Sequence, residues 1–271
     1  MSGVEHECIK CGFIPIICSS YNDTEIEKRH IEMFKEKDVA GIMLSSISNQ
    51  DEYFIELLDS GIKAVMFDQN FMNVGYDAVS FDFYKGGRMA VQYLIDNGHT
   101  EIALLAGVVD RKSRQVIKQA YQDTLRYNRI RQKQSLIITL PEPLNKDNKS
   151  GDYEYEEGCK LAEELLKQEK LPTAVIAIND IMALGIISRL MDQGIKVPQD
   201  ISVIGFDNIS VSGMVTPALT TINQPSYETG VIATQMLLKR INGLEVESNQ
   251  VLLQPTLIER KSVRNITMKR R

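Results

Sequence analysis

Leu171-Pro-Thr-Ala-Val-Ile-Ala-Ile-Asn179-Asp180, then Val197-Pro-Gln-Asp-Ile-Ser-Val-Ile-Gly-Phe-Asp207-Asn208, then Leu219-Thr-Thr-Ile-Asn-Gln-Pro225 decide how this 271-residue chain is built. Val175–Ile178 and Ile201–Gly205 are short, unbroken apolar runs rich in Val and Ile, as expected of strands buried on both faces of a parallel sheet. Each run hands over to amide or carboxylate side chains. In open α/β sheets ligands bind beyond the carboxyl ends of the strands, where the chain turns and presents polar groups. Asn179 and Asp207 stand at such positions.

The same alternation continues outward in both directions. Phe13–Cys18, Ala40–Leu44, Ala64–Phe67, Ala78–Phe81 and Ile102–Leu105 read as strands, with helices over Thr24–Lys37, Glu52–Ser60 and Gly86–Asn97 between them. Thr24-Glu25-Ile26-Glu27 has the form of a capping box, and Gly61 and Gly98 stand where helices should stop. A second series follows: helix Arg114–Asn128, strand Ser135–Thr139, helix Tyr155–Gln168, strand Ala174–Ile178, helix Ile181–Gly194 and strand Ile201–Gly205. Tyr227–Asn242 forms a long amphipathic helix and Val251–Pro255 a last strand. Strands alternating with helices imply βαβ units and parallel sheets, and limits on sheet size favour two sheets over one.

In the order of these motifs the chain resembles the lactose/galactose-repressor (LacI/GalR) family of bacterial transcription regulators. The match continues through Lys63–Asp68, Asp77–Asp82, Gly98-His99 with Ile102–Gly107, Gly151-Asp152-Tyr153 and Leu257-Ile258-Glu259-Arg260-Lys261-Ser262. The resemblance implies an α/β, two-lobed fold of the periplasmic-binding-protein-like type I, each lobe a parallel sheet flanked by helices. It assigns residues 1–107 with 225–248 to the N-terminal lobe, 108–224 with 249–262 to the C-terminal lobe, and leaves 263–271 as a basic tail. Crossovers are expected near Gly107–Val109, Asn223–Pro225 and Glu247–Gln250, with an effector drawing the lobes together by hinge closure.

The resemblance also supplies expectations about the site. Asp207 would accept hydrogen bonds from adjacent sugar hydroxyls, although an Asp there also suits a helix N-cap. Asn179 offers both a donor and an acceptor, and Asp180 is read as the cap of the following helix. Asp68, Ser45 and Tyr21 end strands of the other lobe, Ser45 and Tyr21 serving equally well as plain turn residues. Tyr153 would lay an aromatic face against a pyranose, and Gln224 matches a position touching effector or hinge. Asp82 is read as a turn or interface residue, because the family usually has Asp-Asn where this chain has Asp82-Phe83. Relatives carry an Arg one turn before an aromatic, but counting back from Tyr121 reaches Ile117; Arg114 substitutes by a one-turn shift. That departure argues against a phosphorylated or carboxylated effector, which needs cationic partners.

Bulk properties narrow the function. A net charge of −5 argues against a nucleic-acid surface, since phosphate contacts need concentrated Lys and Arg. Cys8-Ile9-Lys10-Cys11 has the spacing of a zinc or redox pair, but no second pair completes four ligands, so chance spacing is preferred and no metal or cofactor is expected. No GxGxxG, P-loop or GxSxG run occurs, and none of the three histidines is paired with a visible nucleophile, so the chain is read as no enzyme. His99 is read as structural.

The family normally places a helix-turn-helix headpiece and a first strand before the segment resembling Val4–Phe13. The expectation is therefore an effector-binding and dimerisation core lacking the first strand of its N-terminal lobe, with Phe13–Cys18 separated from its neighbour. It would sense a sugar or sugar derivative as a cytoplasmic homodimer, without a membrane, touching operator DNA only through a headpiece outside this chain. The alternative is a periplasmic sugar-binding protein of a transporter.

Overall fold

Apolar runs become strands, and the segments between them become helices, in both halves of the chain. The computed structural model describes residues 1–21, 23–45, 52–67, 75–109, 112–142, 144, 153–244 and 249–267. In chain order the elements are α1 (Ser2–Lys10), α2 (Thr24–Glu36), β1 (Ile42–Leu44), α3 (Glu52–Asp59), β2 (Ala64–Phe67), β3 (Ala78–Phe81), α4 (Phe83–Asp96), β4 (Ile102–Ala106) and α5 (Lys112–Tyr127). There follow β5 (Ile137–Thr139), α6 (Tyr153–Leu166), β6 (Ala174–Ala177), α7 (Asp180–Asp192), β7 (Ser202–Asp207), β8 (Thr220–Asn223), α8 (Ser226–Ile241), β9 (Gln250–Leu253) and β10 (Thr256–Ile258). Among the described residues no helix is long and apolar enough to cross a membrane.

One unit comprises Met1–Asp82 and Pro225–Leu253. Its sheet runs β1-β2-β3-β9, all parallel. Successive strand side chains point to opposite faces, and the core divides accordingly. Ile42, Leu44, Ala64, Met66 and Ala78 pack with Ile31, Phe54, Leu57 and Tyr76 on one face; Val65 and Val79 meet Ala233, Met236 and Leu237 of α8 on the other. Asp77, nearly fully buried, ties this unit together. Its carboxylate accepts from Arg240 Nε at 2.7 Å and Nη2 at 3.1 Å and from the Asn249 N–H at 2.9 Å, joining α8 and the approach to β9 to the start of β3.

The other unit comprises Phe83–Gln224 and Gln254–Arg271, with sheet order β10-β8-β7-β6-β4-β5. Only β10 runs antiparallel. The strands β4, β6 and β7 are buried almost throughout, which accounts for the unbroken Val, Ile, Leu and Ala composition of β4 and β6 and for the Val-Ile-Gly-Phe centre of β7.

Several expectations are corrected. The first crossover falls between Asp82 and Phe83, not near Gly107: β4 lies between β6 and β5, with Ile102 opposite Ala174 and Leu104 opposite Ile137. Helix α4 follows it, because Gly86 and Gly87 allow close approach to the Phe206 ring and to Ala120, where a β-carbon would leave little or no room. The chain returns to the first unit between Gln224 and Pro225, and the last passage falls after Leu253, since β9 pairs with β3. Phe13–Cys18 forms no strand. A strand needs a neighbour, and among the described residues β1 pairs only with β2. Asp23, not Thr24, caps α2, its carboxylate accepting from the N–H groups of Glu25 at 2.8 Å and Ile26 at 3.3 Å.

The segment expected to be a free basic tail is held as far as Thr267. Ser262 Oγ donates to the Val203 carbonyl at 2.6 Å and accepts from the Thr220 N–H, the Arg264 N–H donates to Ser202 Oγ, and the Ile266 N–H donates to the Asn97 carbonyl. Gly98, at φ +90°, closes α4 and delivers the fully buried His99 to this segment. His99 Nε2 lies 3.0 Å from the Arg264 carbonyl, which can only accept, so Nε2 carries the proton of the neutral ring, and Nδ1 lies 2.9 Å from Thr173 Oγ1.

Burial holds the His99 pKa below the ordinary 6.5. The unfolded chain therefore takes up the proton first. The stability contributed by neutral His99 is fully present above about pH 6.5 and is lost as the pH falls from there towards the folded-state value. Thermal midpoints measured from pH 7.5 down to 5 should fall in the parent and fall less in His99→Gln, the difference between the two curves isolating this group; parallel curves would contradict it.

Candidate functional site

Strand tips gather the polar residues of the second unit. Because β4, β6, β7 and β8 are adjacent and parallel, their carboxyl ends form one row. At about 4.8 Å between neighbouring strands, the row spans about 14 Å, the scale of a small molecule. Along it stand the turn after β4, to which Arg114 is bonded, then Asn179 after β6, Asp207 at the end of β7 and Gln224 after β8.

Asp180 organises the middle of this row. It is fully buried, and its Oδ2 accepts from Ser212 Oγ at 2.6 Å and the Ile209 N–H at 3.0 Å, while Oδ1 accepts from Thr221 Oγ1 at 2.6 Å. Burial pushes its pKa above the usual Asp value, against the opposing pull of these hydrogen bonds. Gly205 leaves the room the carboxylate occupies. Asn208 is fixed from two more sides, its Oδ1 accepting from Arg260 Nη2 at 2.6 Å and its Nδ2 donating to Asn223 Oδ1 at 2.9 Å; Arg260 Nη1 also donates to the Leu219 carbonyl. So held, Asp207 and Asn208 keep backbones at φ +106° and +58°, conformations that side-chain-bearing residues adopt at a cost.

Asp207 is half-buried at the tip, and Gln224 Nε2 donates to its Oδ1 at 2.6 Å. Two residues singled out separately in the sequence thus form one pair. Asn179 is the N-cap of α7, its Oδ1 accepting from the Met182 N–H at 2.8 Å. The cap expected of Asp180 is made by Asn179, and Asp180 instead holds the loop after β7. Arg114, only slightly exposed, donates from Nη1 to the Val108 carbonyl at 2.8 Å and from Nη2 to Glu154 Oε1 at 3.1 Å. Tyr153, beside Glu154, opens α6 and is half-buried.

In the first unit, Ser45 is exposed immediately after β1. Tyr21 does not end a strand, because Phe13–Cys18 forms none; it is exposed, at φ +50°, with its N–H donating to Ser19 Oγ. Asp68, following β2, lies outside the described residues.

The row offers a carboxylate, three amide side chains counting Asn223, and a guanidinium whose charge Glu154 compensates. Such groups bind and orient a polar molecule. Among the described residues no three His, Cys, Asp or Glu side chains gather where they could hold a metal ion. Sequence reasoning passed over Asn208, Arg260, Ser212 and Thr221. Arg260 stood within a quoted motif, but its partners lie 41 and 52 positions away and leave no local signal.

Comparison with known proteins adds the family context. A family model described as a periplasmic binding protein-like domain matches residues 91–263. The HTH-type transcriptional repressor PurR of Vibrio parahaemolyticus is 36% identical over 269 residues, which cover 98% of this chain and 77% of that protein. Among solved structures, a LacI family transcriptional regulator from Enterococcus faecium with bound ribose is 26% identical with a TM-score of 0.83, over 98% of this chain and 93% of that one. The transcriptional regulator CelR in its cellobiose complex is 27% identical with a TM-score of 0.81, over 96% of this chain and 76% of that one.

Replacing Asp180 with Ala would strand the Ser212 and Thr221 hydroxyls and the Ile209 N–H in the interior, which should cost about 3 kcal/mol. Asp207→Asn keeps an acceptor for Gln224 and should change stability by less than about 1 kcal/mol. Urea denaturation of both variants checks the contrast; comparable losses would show that Asp180 does not organise the loop.

Proposed function

The chain belongs to the lactose/galactose-repressor (LacI/GalR) family of transcriptional regulators, as an effector-binding core, and from that membership we propose that it senses a neutral, polyhydroxylated small molecule, a sugar or sugar derivative, and converts occupancy into a change of conformation. The observation that carries this reading is the Asp207–Gln224 pair at the tips of adjacent strands. A carboxylate has about four acceptor positions, so one engaged by the Gln224 amide retains the capacity to accept from vicinal hydroxyls. Asn179 Nδ2 adds a donor, and Tyr153 an aromatic surface of the kind that stacks on a pyranose. The ribose and cellobiose complexes of related regulators support the same class of ligand. Asp68, Ser45 and Tyr21 are proposed as further effector contacts from the first unit.

No chemical step is needed. A ligand regulates by binding one of two conformations more tightly, and the shift it produces is limited by that differential affinity. We place the protein in the cytoplasm as a homodimer, with operator contact made by a helix-turn-helix segment such as the HTH-type relatives carry and not by these acidic 271 residues. Repressor relatives at 33–36% identity over nearly the whole chain favour this over a transporter's binding protein. A purine base is the second reading, because the relatives at that identity are PurR repressors.

Thermal denaturation with ribose, cellobiose or a purine base distinguishes the two. A sugar should raise the midpoint by mass action, and Asp207→Asn should weaken that sugar by about tenfold to a hundredfold, the equivalent of one charged hydrogen bond. Stabilisation by the purine alone would replace the sugar reading, and equal stabilisation of parent and Asp207→Asn would remove Asp207 from the site.

A further inference from the structure

The connection from α5 to β5 is a basic stretch in an acidic chain. No Asp or Glu occurs from Thr124 to Pro141, while Arg126, Arg129, Arg131 and Lys133 follow one another closely. The stretch is held in place. The Ile130 N–H donates to the Leu125 carbonyl at 2.9 Å and Asn128 Nδ2 to Gln92 Oε1 at 2.9 Å, and half-buried Ile130 and Gln132 alternate with exposed Arg129, Arg131 and Lys133. Two of the four cations are paired within the unit, Lys133 with Glu101 at 2.6 Å and Arg126 with Asp123 at 2.9 Å. Arg129 and Arg131 meet no carboxylate among the described residues. At most about 7 Å of backbone separates them, and each guanidinium is a planar fork that matches a carboxylate.

These residues lead into β5, an end strand of the second sheet, paired only with β4 among the described residues. The Ile137 N–H turns away from β4 to the Gln134 carbonyl. Backbone groups of successive strand residues alternate in direction, so Ile138 bonds β4 while the Ile137 carbonyl and both backbone groups of Thr139 face outward. Among the described residues neither Thr139 group meets a backbone partner. Pro141 has no N–H and ends the ladder there. Alongside runs a groove of about 670 Å³, with Ile137, Leu140 and Pro141 on the strand side and Lys160, Glu164 and Gln168, successive turns of α6, on the other.

We propose that this edge docks an extended segment of another protein, acidic where it meets Arg129 and Arg131 and apolar at alternate positions along the groove. The segment adds to β5 as a strand, backbone bonds giving affinity and side chains giving selectivity. Carboxylates on alternate residues of an extended segment stand about 7 Å apart, a spacing that suits the two arginines. A small anion would use the guanidinium groups and leave the groove empty. A nucleic acid needs many cations acting together, and here Asp123 and Glu101 already neutralise two of the four. The inference uses no residue of the strand-tip row and is independent of the effector reading.

Fluorescence anisotropy of the full chain with two labelled heptapeptides tests this, Asp-Ser-Asp-Thr-Val-Thr-Val and its reverse, one for each strand direction. One of them should saturate the protein, and its Asn-for-Asp counterpart should bind about tenfold more weakly or worse. Arg129→Gln combined with Arg131→Gln should weaken binding by about tenfold to a hundredfold. Thr139→Pro, at an edge position that tolerates proline, should weaken it by about tenfold. Arg126→Gln, whose cation is already paired, should bind as the parent does. All four side chains are exposed, and circular dichroism verifies folding. Hydrogen exchange at the Thr139 amide, which should slow in the complex, reads the ladder without any substitution. Saturation by neither peptide, indifference to the arginine pair, or an unprotected Thr139 amide overturns the proposal. So does an equal loss in Arg126→Gln, which would mean diffuse charge, or tighter binding of an oligothymidylate than of either peptide.

Discussion

A buried negative charge governs the larger unit. Taking a carboxylate out of water costs several kcal/mol even after the surroundings relax, and Asp180 is enclosed completely. What makes the position tenable is the set of donors converging on it from the turn after β7 and from β8. The same turn is tied to β8 by the β7–β8 ladder and by the Leu219 N–H, which donates to the Ser212 carbonyl at 2.8 Å, and the carboxylate closes it from within. The satisfied charge and the path of the loop are therefore coupled. Moving the loop would orphan the charge, and neutralising the charge would loosen the loop. The positive φ of Asp207 and Asn208, each costing about 1 kcal/mol or more, is sustained by that over-determination.

Rigidity at this point bears on what the strand tips can recognise. A carboxylate selects among hydroxyl patterns only if its own position is fixed, and Asp207 is fixed by its backbone below and by Gln224 alongside. The electrostatics of the row point the same way. Arg114 is already engaged by Glu154 and by the Val108 carbonyl, so an anionic ligand would have to compete for it, whereas a neutral polyol would find acceptors and donors without displacing a charge.

The two sheets manage their edges differently. In the second unit β10 runs antiparallel to β8, and the segment after it continues along the sheet through Ser262, Arg264 and Ile266. In the first unit β1 pairs only with β2 among the described residues, and Phe13–Cys18 lies outside the sheet with Ile14, Ile16 and Ile17 exposed. The contrast explains why one βαβ pattern reads cleanly as structure and the other leaves apolar surface in solvent.

Sequence alone determined which segments become strands and helices, because burial on both faces imposes an unbroken apolar composition and a buried helix face imposes its own period; β2, β3, β4, β6 and β7 are legible on that ground. It also located Asp207, Asn179 and Gln224, since strand tips are local features. Only the tertiary structure decided that α4 and β4 belong with the second sheet and β9 with the first, because sheet membership is a choice among distant partners, made here by the close approach of Gly86 and Gly87 and by pairing across some 170 residues. For the same reason Asp180 reads in sequence as a helix cap and in space as the anchor of the loop: its partners lie 29 to 41 positions away, and a hydrogen bond of that span leaves no trace in the spacing of neighbouring residues.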